Sequence, residues 1–406
     1  MSELASGHDG RHDFDFIHGR WQVHNERLMQ RLTGSDEWEV FFALDECRPL
    51  LDGTGNLEQF HTEWNDGYEG LTLRLYDPVA QEWRIHWASN RSGRLDPPMS
   101  GRFEQGVGTF HGDDTHEGRA VKVRFQWSRS SANSAHWQQA FSVDGGASWE
   151  TNWHMWFRRL DEAGRLIHDD AVLELRQYTL HPGQRDILIG LFDREFLEPQ
   201  EAVGMHVIGQ FRDLDAPDRF VWLRGFASME ARREALQAFY SGPVWRRHRE
   251  AANATMIDSD NVLLLKPAQP GTGLAAAPTP RPAVGEDAAN GALCLGICSL
   301  RAAAEHGFSA RFDRELAPLL RRHGAQLIAH YVTDASTNTF PRLPVREGER
   351  VFVWLARFTD IAALDAHLDA LRDDRAWSET LAAAGDELVS PPQLSRLVPT
   401  ARSELR

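Results

Sequence analysis

The chain has almost no cysteine: Cys47, Cys294 and Cys298 are the only three in 406 residues. So sparse and odd a set excludes a disulfide-stapled scaffold and fits a reducing compartment. Cys294 and Cys298 stand four apart in "LCLGICSL" (293–300), which reads as a strand. At the rise of a strand they lie ~13 Å from one another and cannot bridge. Long hydrophobic runs are missing too. No apolar stretch approaches membrane-spanning length, and the opening "MSELASGHDGRHDFDF" has no apolar segment ahead of a small-residue cleavage site. The expectation is a soluble, cytoplasmic protein with no membrane partner. Positive charge is also short. Against 59 Asp and Glu there are 44 Lys and Arg, for a net charge of -15 and a pI near 5.6. That disfavours a nucleic-acid partner, because displacing counterions from a phosphate backbone needs clustered cations.

Chemical signatures are equally scarce. There is no His-Glu-x-x-His, no Cys-x-x-Cys and no Gly-x-Ser-x-Gly. His8, His12, His18 and His24 follow no metal-ligand spacing, so no metal is expected. "GTG" (271–273) has no strand before it, which rules against dinucleotide binding. No motif assigns a cofactor, and haem or flavin is left open.

What is present is 42% hydrophobic and 25% charged residues, ordinary for a folded chain long enough for two or three domains. Residues 1–165 read as an antiparallel β-barrel or sandwich. "LTLRLY" (71–76), "WRIHW" (83–87), "VKVRFQW" (121–127), "HWQQAFS" (136–142) and "TNWHMWFRR" (151–159) alternate apolar with polar residues. "SVDGGASW" (142–149) predicts a hairpin turning at Asp144-Gly145. Its many tryptophans, Trp21, Trp83, Trp87, Trp127, Trp137, Trp149, Trp153 and Trp156 among them, suit either a packed core or an aromatic ligand pocket. From 166 to 268 the order becomes strand, helix, strand, strand, helix, strand, the ferredoxin-like arrangement. Residues 269–290 are rich in Pro, Ala and Gly and read as a linker, long enough at about 3.1 Å per residue to let the C-terminal unit dock in almost any orientation.

Residues 291–406 repeat the unit. "FDRE" recurs at 192–195 and 312–315, an offset of 120; after the inserted "TDASTNTFPRLPVREGER" (333–350) the offset is 132, and "FVWL" recurs at 220–223 and 352–355. Matches at structurally equivalent positions indicate internal duplication. A ferredoxin-like sheet has helices on one face and leaves the other bare. Two copies therefore predict an intramolecular α/β-barrel in which each covers the other.

"LELRQYTLHPG", "GMHVIGQFRDLDAPDRFVWLRGF", "AFYSGPVWRRHREAANATM" and "NVLLLKP" resemble the NIPSNAP family of dimeric α/β-barrel proteins. The second copy keeps "FDRE", "FVWL" and the closing Trp377 and resembles a degenerate member. In the front domain, Gly19-x-Trp21 and the terminal Arg158 and Arg159 are similar to calycin or lipocalin-like barrels, where an Arg from the far end covers the Trp. Neither likeness implies one reaction.

Strand alternation supplies the candidate site. Leu173 and Leu175 share one face of "LELRQY", expected beneath the helices; Glu174, Arg176 and Tyr178 share the other, expected inside the barrel. His206 and Gln210, then Trp222 and Arg224, join them by the same rule. In the second copy these positions become Cys294, Gly296, Cys298, Gln326, His330, Trp354 and Ala356, a smaller and largely uncharged face that leaves room for a ligand. The reading is a small-molecule-binding protein with a polar pocket. Catalysis is left open, with His206, Tyr178 and Glu174 as acid-base groups and Arg176, Arg224, Gln210, Trp222 and His330 as substrate contacts. The alternative is a non-catalytic scaffold with both barrels filled, its buried charges a satisfied network. The expected partner is a small molecule, with homo-oligomerisation left open. His154, between Trp153 and Met155, is a candidate to face the front barrel, even as a haem ligand.

Overall fold

The computed structural model describes residues 9–275, 281–286 and 291–406. These form two closed antiparallel barrels, of ten and eight strands, in two units: Met1–Ile167 with Ala202–Gly204, and His168–Glu201 with Met205–Arg406.

The front barrel is an up-and-down meander: β1 (Gly19–Leu28), β2 (Trp38–Leu50), β3 (Gly55–Thr62), β4 (Tyr68–Asp77), β5 (Glu82–Ser89), β6 (Met99–Glu104), β7 (Val107–His116), β8 (Arg119–Ser131), β9 (Ser134–Ser142) and β10 (Glu150–Arg159), closed by β10 on β1. Alternation decides what points inward. On β2, Phe41, Ala43, Asp45 and Cys47 are buried while Phe42 and Leu44 are exposed. One end is plugged by the segment before β1. Trp21 Nε1 donates to the Ile17 carbonyl (2.7 Å) and Trp83 Nε1 to that of Gly10 (2.9 Å), which seats Phe14 and Ile17 among the aromatic rings. Arg159 lies 4.1 Å over the Trp21 ring and donates to the carbonyls of Phe16 and His18. In the β9–β10 connection the positive φ angles fall on Gly145 and Gly146, one place later than the sequence suggested, and Asp144 accepts from Ser142 and Ser148 instead.

In the second unit, β11 (Val172–Leu180), β12 (His206–Asp213), β13 (Arg219–Phe226), β14 (Met256–Asp258) and β15 (Val262–Pro267) come from the first copy. The second copy supplies β16 (Ala292–Ser299), β17 (Gln326–Thr333), β18 (Val351–Phe358) and β19 (Gln393–Pro399). Both repeat offsets hold. β11 maps on β16 and β12 on β17 at 120, β13 on β18 at 132, and each copy has a wide π turn at "FDRE", Phe192–Phe196 and Phe312–Leu316. Ser228 and Asp360, also 132 apart, cap the helices Met229–Ser241 and Ile361–Asp373. The fourth strand of each copy pairs with the second of the other, β12 with β19 and β15 with β17. The ring therefore runs β11, β13, β12, β19, β16, β18, β17, β15 and back to β11, with β14 as a short addition.

The interior of this ring overturns one expectation. Leu173, Leu175, Val221, Leu223, Leu263, Leu265, Leu293, Leu295, Val353 and Leu355 fill it, with Phe211 and Tyr331. An eight-stranded barrel is just wide enough for side chains to fill, and each fully buried Leu or Val contributes about 1.5–3 kcal/mol. The leucines of "LELRQY" thus face the barrel axis, and the polar residues between them lie beneath the helices.

The 269–290 segment differs as well. Residues 276–280 and 287–290 lie outside the described residues, but the parts on either side are fastened to the barrel. Leu274 N donates to the Tyr331 hydroxyl (2.8 Å), and the Arg281 guanidinium donates to Glu201 (2.6 Å) and to the Val207 carbonyl (2.7 Å). These bonds hold the described parts of the segment against the second unit, where its composition suggested free docking. Among the described residues no helix is long and apolar enough to cross a membrane.

Candidate functional site

Glu174 is the centre of a buried cluster between the sheet and the helices of the first copy. Its Oε2 accepts from Arg176 Nη1 (2.6 Å) and Arg224 Nε (2.7 Å), and its Oε1 from Arg232 Nε (2.6 Å). All four residues are fully buried. Glu174 and Arg224 are cross-strand partners on β11 and β13, as are Arg176 and Trp222, while Arg232 descends from the helix Met229–Ser241. Arg176 Nε donates to the Tyr178 hydroxyl (2.8 Å), and Arg224 Nη1 reaches Gln200 Oε1 (3.1 Å) and Met205 Sδ (3.5 Å). The guanidiniums of Arg176 and Arg224 lie 5.5 and 5.0 Å from the Trp222 ring, which meets Phe192 edge-on.

Electrostatics fix the protonation states. Burial alone would push the Glu174 carboxyl up, but Arg224, Arg176 and Arg232 together hold it well below the usual carboxylate range. Burial also works against the charge of Arg176, yet Tyr178 and Glu174 hold it above its ordinary value. Burial pushes the Tyr178 hydroxyl up, with Arg176 opposing, and pulls Arg232 down against the pull of Glu174. Glu174 is thus a permanent anion, suited to holding cations and unsuited to proton abstraction. One carboxylate serves three guanidiniums. Several polar atoms here are buried without a hydrogen-bond partner: Arg224 Nη2, Arg232 Nη2, Trp222 Nε1, and both Nε2 and Oε1 of Gln210, the register partner of Trp222.

Two of the sequence-predicted residues stand elsewhere. The register slips between Val207 and Gly209, and this bulge reverses the alternation, so His206 and Gln210 do not share a face. His206 sits between Asp170 (Nδ1, 2.6 Å) and Glu404 (Nε2, 3.2 Å) and stacks on His168 at 3.6 Å. Although burial opposes its charge, the two carboxylates raise its pKa to about 10, which makes it an imidazolium fastening the C-terminal residues and no partner for Tyr178 or Glu174. Because the folded pKa exceeds the ordinary 6.5, the stabilisation is complete below pH 6.5 and is lost as pH rises to about 10. We expect urea unfolding of wild type minus His206→Gln to lose about 1.4 kcal/mol per pH unit across that window. A difference independent of pH would contradict this. His330 lies in the other copy, packed against Phe312 and Phe352 and 3.7 Å from Asp313, its pKa lowered by burial. It does not meet the cluster.

Four participants were not foreseen from the sequence. Arg232 and Gln200 reach the cluster from helices, and Asn338 and Thr339, from the segment inserted in the second copy, receive Arg232 Nη1 at 3.0 and 3.4 Å. The repeat itself held the signal, since Arg232 and Gln200 align with Leu364 and Leu320.

That alignment matters more than any single distance. The second copy builds the same layer from Cys294, Cys298, Ala356, Leu320 and Leu364 with Phe312 and Phe352. Gly296, in the place of Arg176, has the Trp354 ring directly over it: a Cβ there would meet the indole at 2.0 Å. The small residues of the second copy leave no ligand space; they admit a tryptophan.

His154 also departs from expectation. Its Nδ1 meets His136 Nε2 at 3.0 Å on the outer face of the front barrel, while its neighbour Met155 lines the interior. Burial lowers His136 to about 3, with His154 adding to the effect. Among the described residues no group of three or more His, Cys, Asp or Glu is placed to hold a metal ion.

Fold and cluster define a tandem ferredoxin-like barrel with a polar layer in one copy and an apolar one in the other. Residues 173–270, the polar copy, match the NIPSNAP family and form a NIPSNAP domain. No curated protein matches the chain. Among solved structures, an uncharacterized NIPSNAP-like domain protein from Burkholderia xenovorans is 21% identical, covering 27% of this chain and 86% of its own (TM-score 0.22). An anthrone oxidase-like protein is 14% identical over 57% and 92% (TM-score 0.37). A mutant chlorite dismutase from Candidatus Nitrospira defluvii is 12% identical over 57% and 92% (TM-score 0.32).

Proposed function

We propose that this chain binds a small anionic molecule in the polar layer of its NIPSNAP domain, between the sheet and the helices. The observation that carries the reading is internal. The same fold position in the second copy is filled by apolar side chains, so the architecture does not require a buried Glu174 with three arginines. Buried ion clusters are in general no more stabilising than well-packed apolar groups; a cluster kept in one copy and replaced in the other is better explained by a ligand. The two guanidiniums in excess of the single carboxylate, and the unpartnered Arg224 Nη2, Arg232 Nη2 and Trp222 Nε1, favour a carboxylate or phosphate group. Arg176, Arg224, Gln210 and Trp222 would hold it and Glu174 would position the arginines. Binding is the activity proposed; the fixed charge of Glu174 and the distance of His206 from the cluster give no acid-base pair.

The front domain enters the proposal as a calycin- or lipocalin-like module, supported by Arg159 over Trp21. A cytoplasmic location enters on the three unpaired, buried cysteines. The test uses Met205, whose sulfur touches Arg224. In protein labelled at the methionine methyls, benzoate or inorganic phosphate is expected to shift the Met205 resonance saturably. Anion at a hundred times Kd should add about 2.7 kcal/mol of stability. A Met205 resonance indifferent to both probes, in protein that carries no ligand by native mass spectrometry, removes the proposal.

A further inference from the structure

A second site is built into the front barrel, on observations independent of the NIPSNAP domain. Its interior holds a cavity of about 150 Å³, walled by Phe60, Trp87, Phe125, Trp137, Trp153 and Met155. Glu58, Thr72 and Arg74 also line it, as do the exposed Asp96, Asp113 and Asp114. A cavity of this volume is the size that admits a benzene ring.

The charges inside are already matched. Arg74 Nη2 donates to Glu58 Oε2 (2.5 Å) and Nη1 to Asn56 Oδ1 (3.0 Å), while Glu58 Oε1 accepts from Thr72 (3.0 Å). The guanidinium face is covered by Phe14 and Trp127, 5.0 and 5.2 Å away. Both terminal nitrogens of Arg74 already have acceptors, and Nε alone is without a hydrogen-bond partner. Deeper in, burial, the neighbouring charge of Glu58 and a hydrogen bond with it push the Asp45 carboxyl well above its ordinary range, with Arg74 opposing. At the solvent side Asp113 is paired with Lys122 (2.6 Å). Burial and the like charge of Asp114 raise Asp96. An anionic ligand would pass a rim of carboxylates and lose its water beside an arginine already paired with Glu58, a penalty that an uncharged ring avoids.

From this geometry we infer that the lumen of the ten-stranded barrel binds a single-ring aromatic molecule that is uncharged or cationic, and rejects carboxylates of the same shape. Benzyl alcohol, benzylamine and benzoate share a ring and differ in charge. Decanoate tests an aliphatic acid. Met99 and Met155 both line the cavity and are two of only seven methionines, so methionine-methyl spectra of the full chain report the location of binding directly. Benzyl alcohol and benzylamine are expected to shift Met99 and Met155. Benzoate and decanoate are expected to bind there roughly tenfold more weakly or worse. Benzoate bound in the NIPSNAP domain would move Met205 and leave Met99 and Met155 still, so failure of one proposal is distinguishable from failure of the other. Met155→Trp, which fills the cavity, should abolish the Met99 shift; the wild-type titration stands on its own where that variant does not fold. Met99 and Met155 resonances that ignore both uncharged and cationic rings, or that respond as strongly to benzoate or decanoate, overturn the inference.

Discussion

Replacing Glu174 by leucine is expected to destabilise the tandem barrel by about 3–5 kcal/mol, since it leaves three buried guanidiniums without their shared carboxylate. The side chain is fully buried and accepts from all three. The informative comparison is a larger change with a smaller expected effect. Glu174→Cys, Arg176→Gly, Tyr178→Cys, Gln200→Leu, Arg224→Ala and Arg232→Leu together convert the layer to the residues of the second copy. Trp222 can then settle over position 176 as Trp354 does over Gly296. We expect this sextuple variant to lie within about 2 kcal/mol of wild type, because an ion cluster removed whole leaves no orphaned charge. It should also lose the anion response of Met205. Urea denaturation measures both arms; a sextuple variant no more stable than Glu174→Leu would show that the cluster is structural.

Gly296 gives the second large effect. A Cβ at this position would come within 2.0, 2.3 and 2.4 Å of three indole atoms of Trp354. That ring is fully buried and part of the second copy's core, so it cannot yield cheaply. Gly296→Ala is expected to cost about 1–3 kcal/mol by overpacking. Gly296→Arg restores the first copy's residue without its carboxylate and should prevent folding or cost more than 3 kcal/mol, roughly the penalty of an unpaired buried charge. Gly296→Ala unfolding at the wild-type urea midpoint would mean the ring is free to move.

Much of the second unit was legible in the sequence. The two offsets located every equivalent strand because an insertion can enter a loop without disturbing the register on either side. Alternation in "LELRQY" correctly separated Leu173 and Leu175 from Glu174, Arg176 and Tyr178. It could not say which face was which, since β11 is buried on both sides and hydrophobicity then no longer marks the inside. His206 was lost to a bulge, whose one extra residue reverses phase; Gly209 beside it is a common companion of such a break. Arg232 and Gln200 could be found only by comparing the copies, because separate helices bring Arg232 onto the Glu174 carboxylate from 58 positions away and Gln200 onto Arg224 from 24. In the front barrel, the strands of strict alternation were readable, whereas closure into a ring pairs β1 with β10, the strands farthest apart in sequence.

The exchange of fourth strands between unequal copies has a consequence for stoichiometry. A barrel assembled from two identical chains would present two equivalent pockets, and occupancy of one could influence the other across the shared sheet. Here one half lacks the charges while remaining half of the ring, so, on the proposed function, the tandem barrel offers one anion site per chain and a hyperbolic titration is expected.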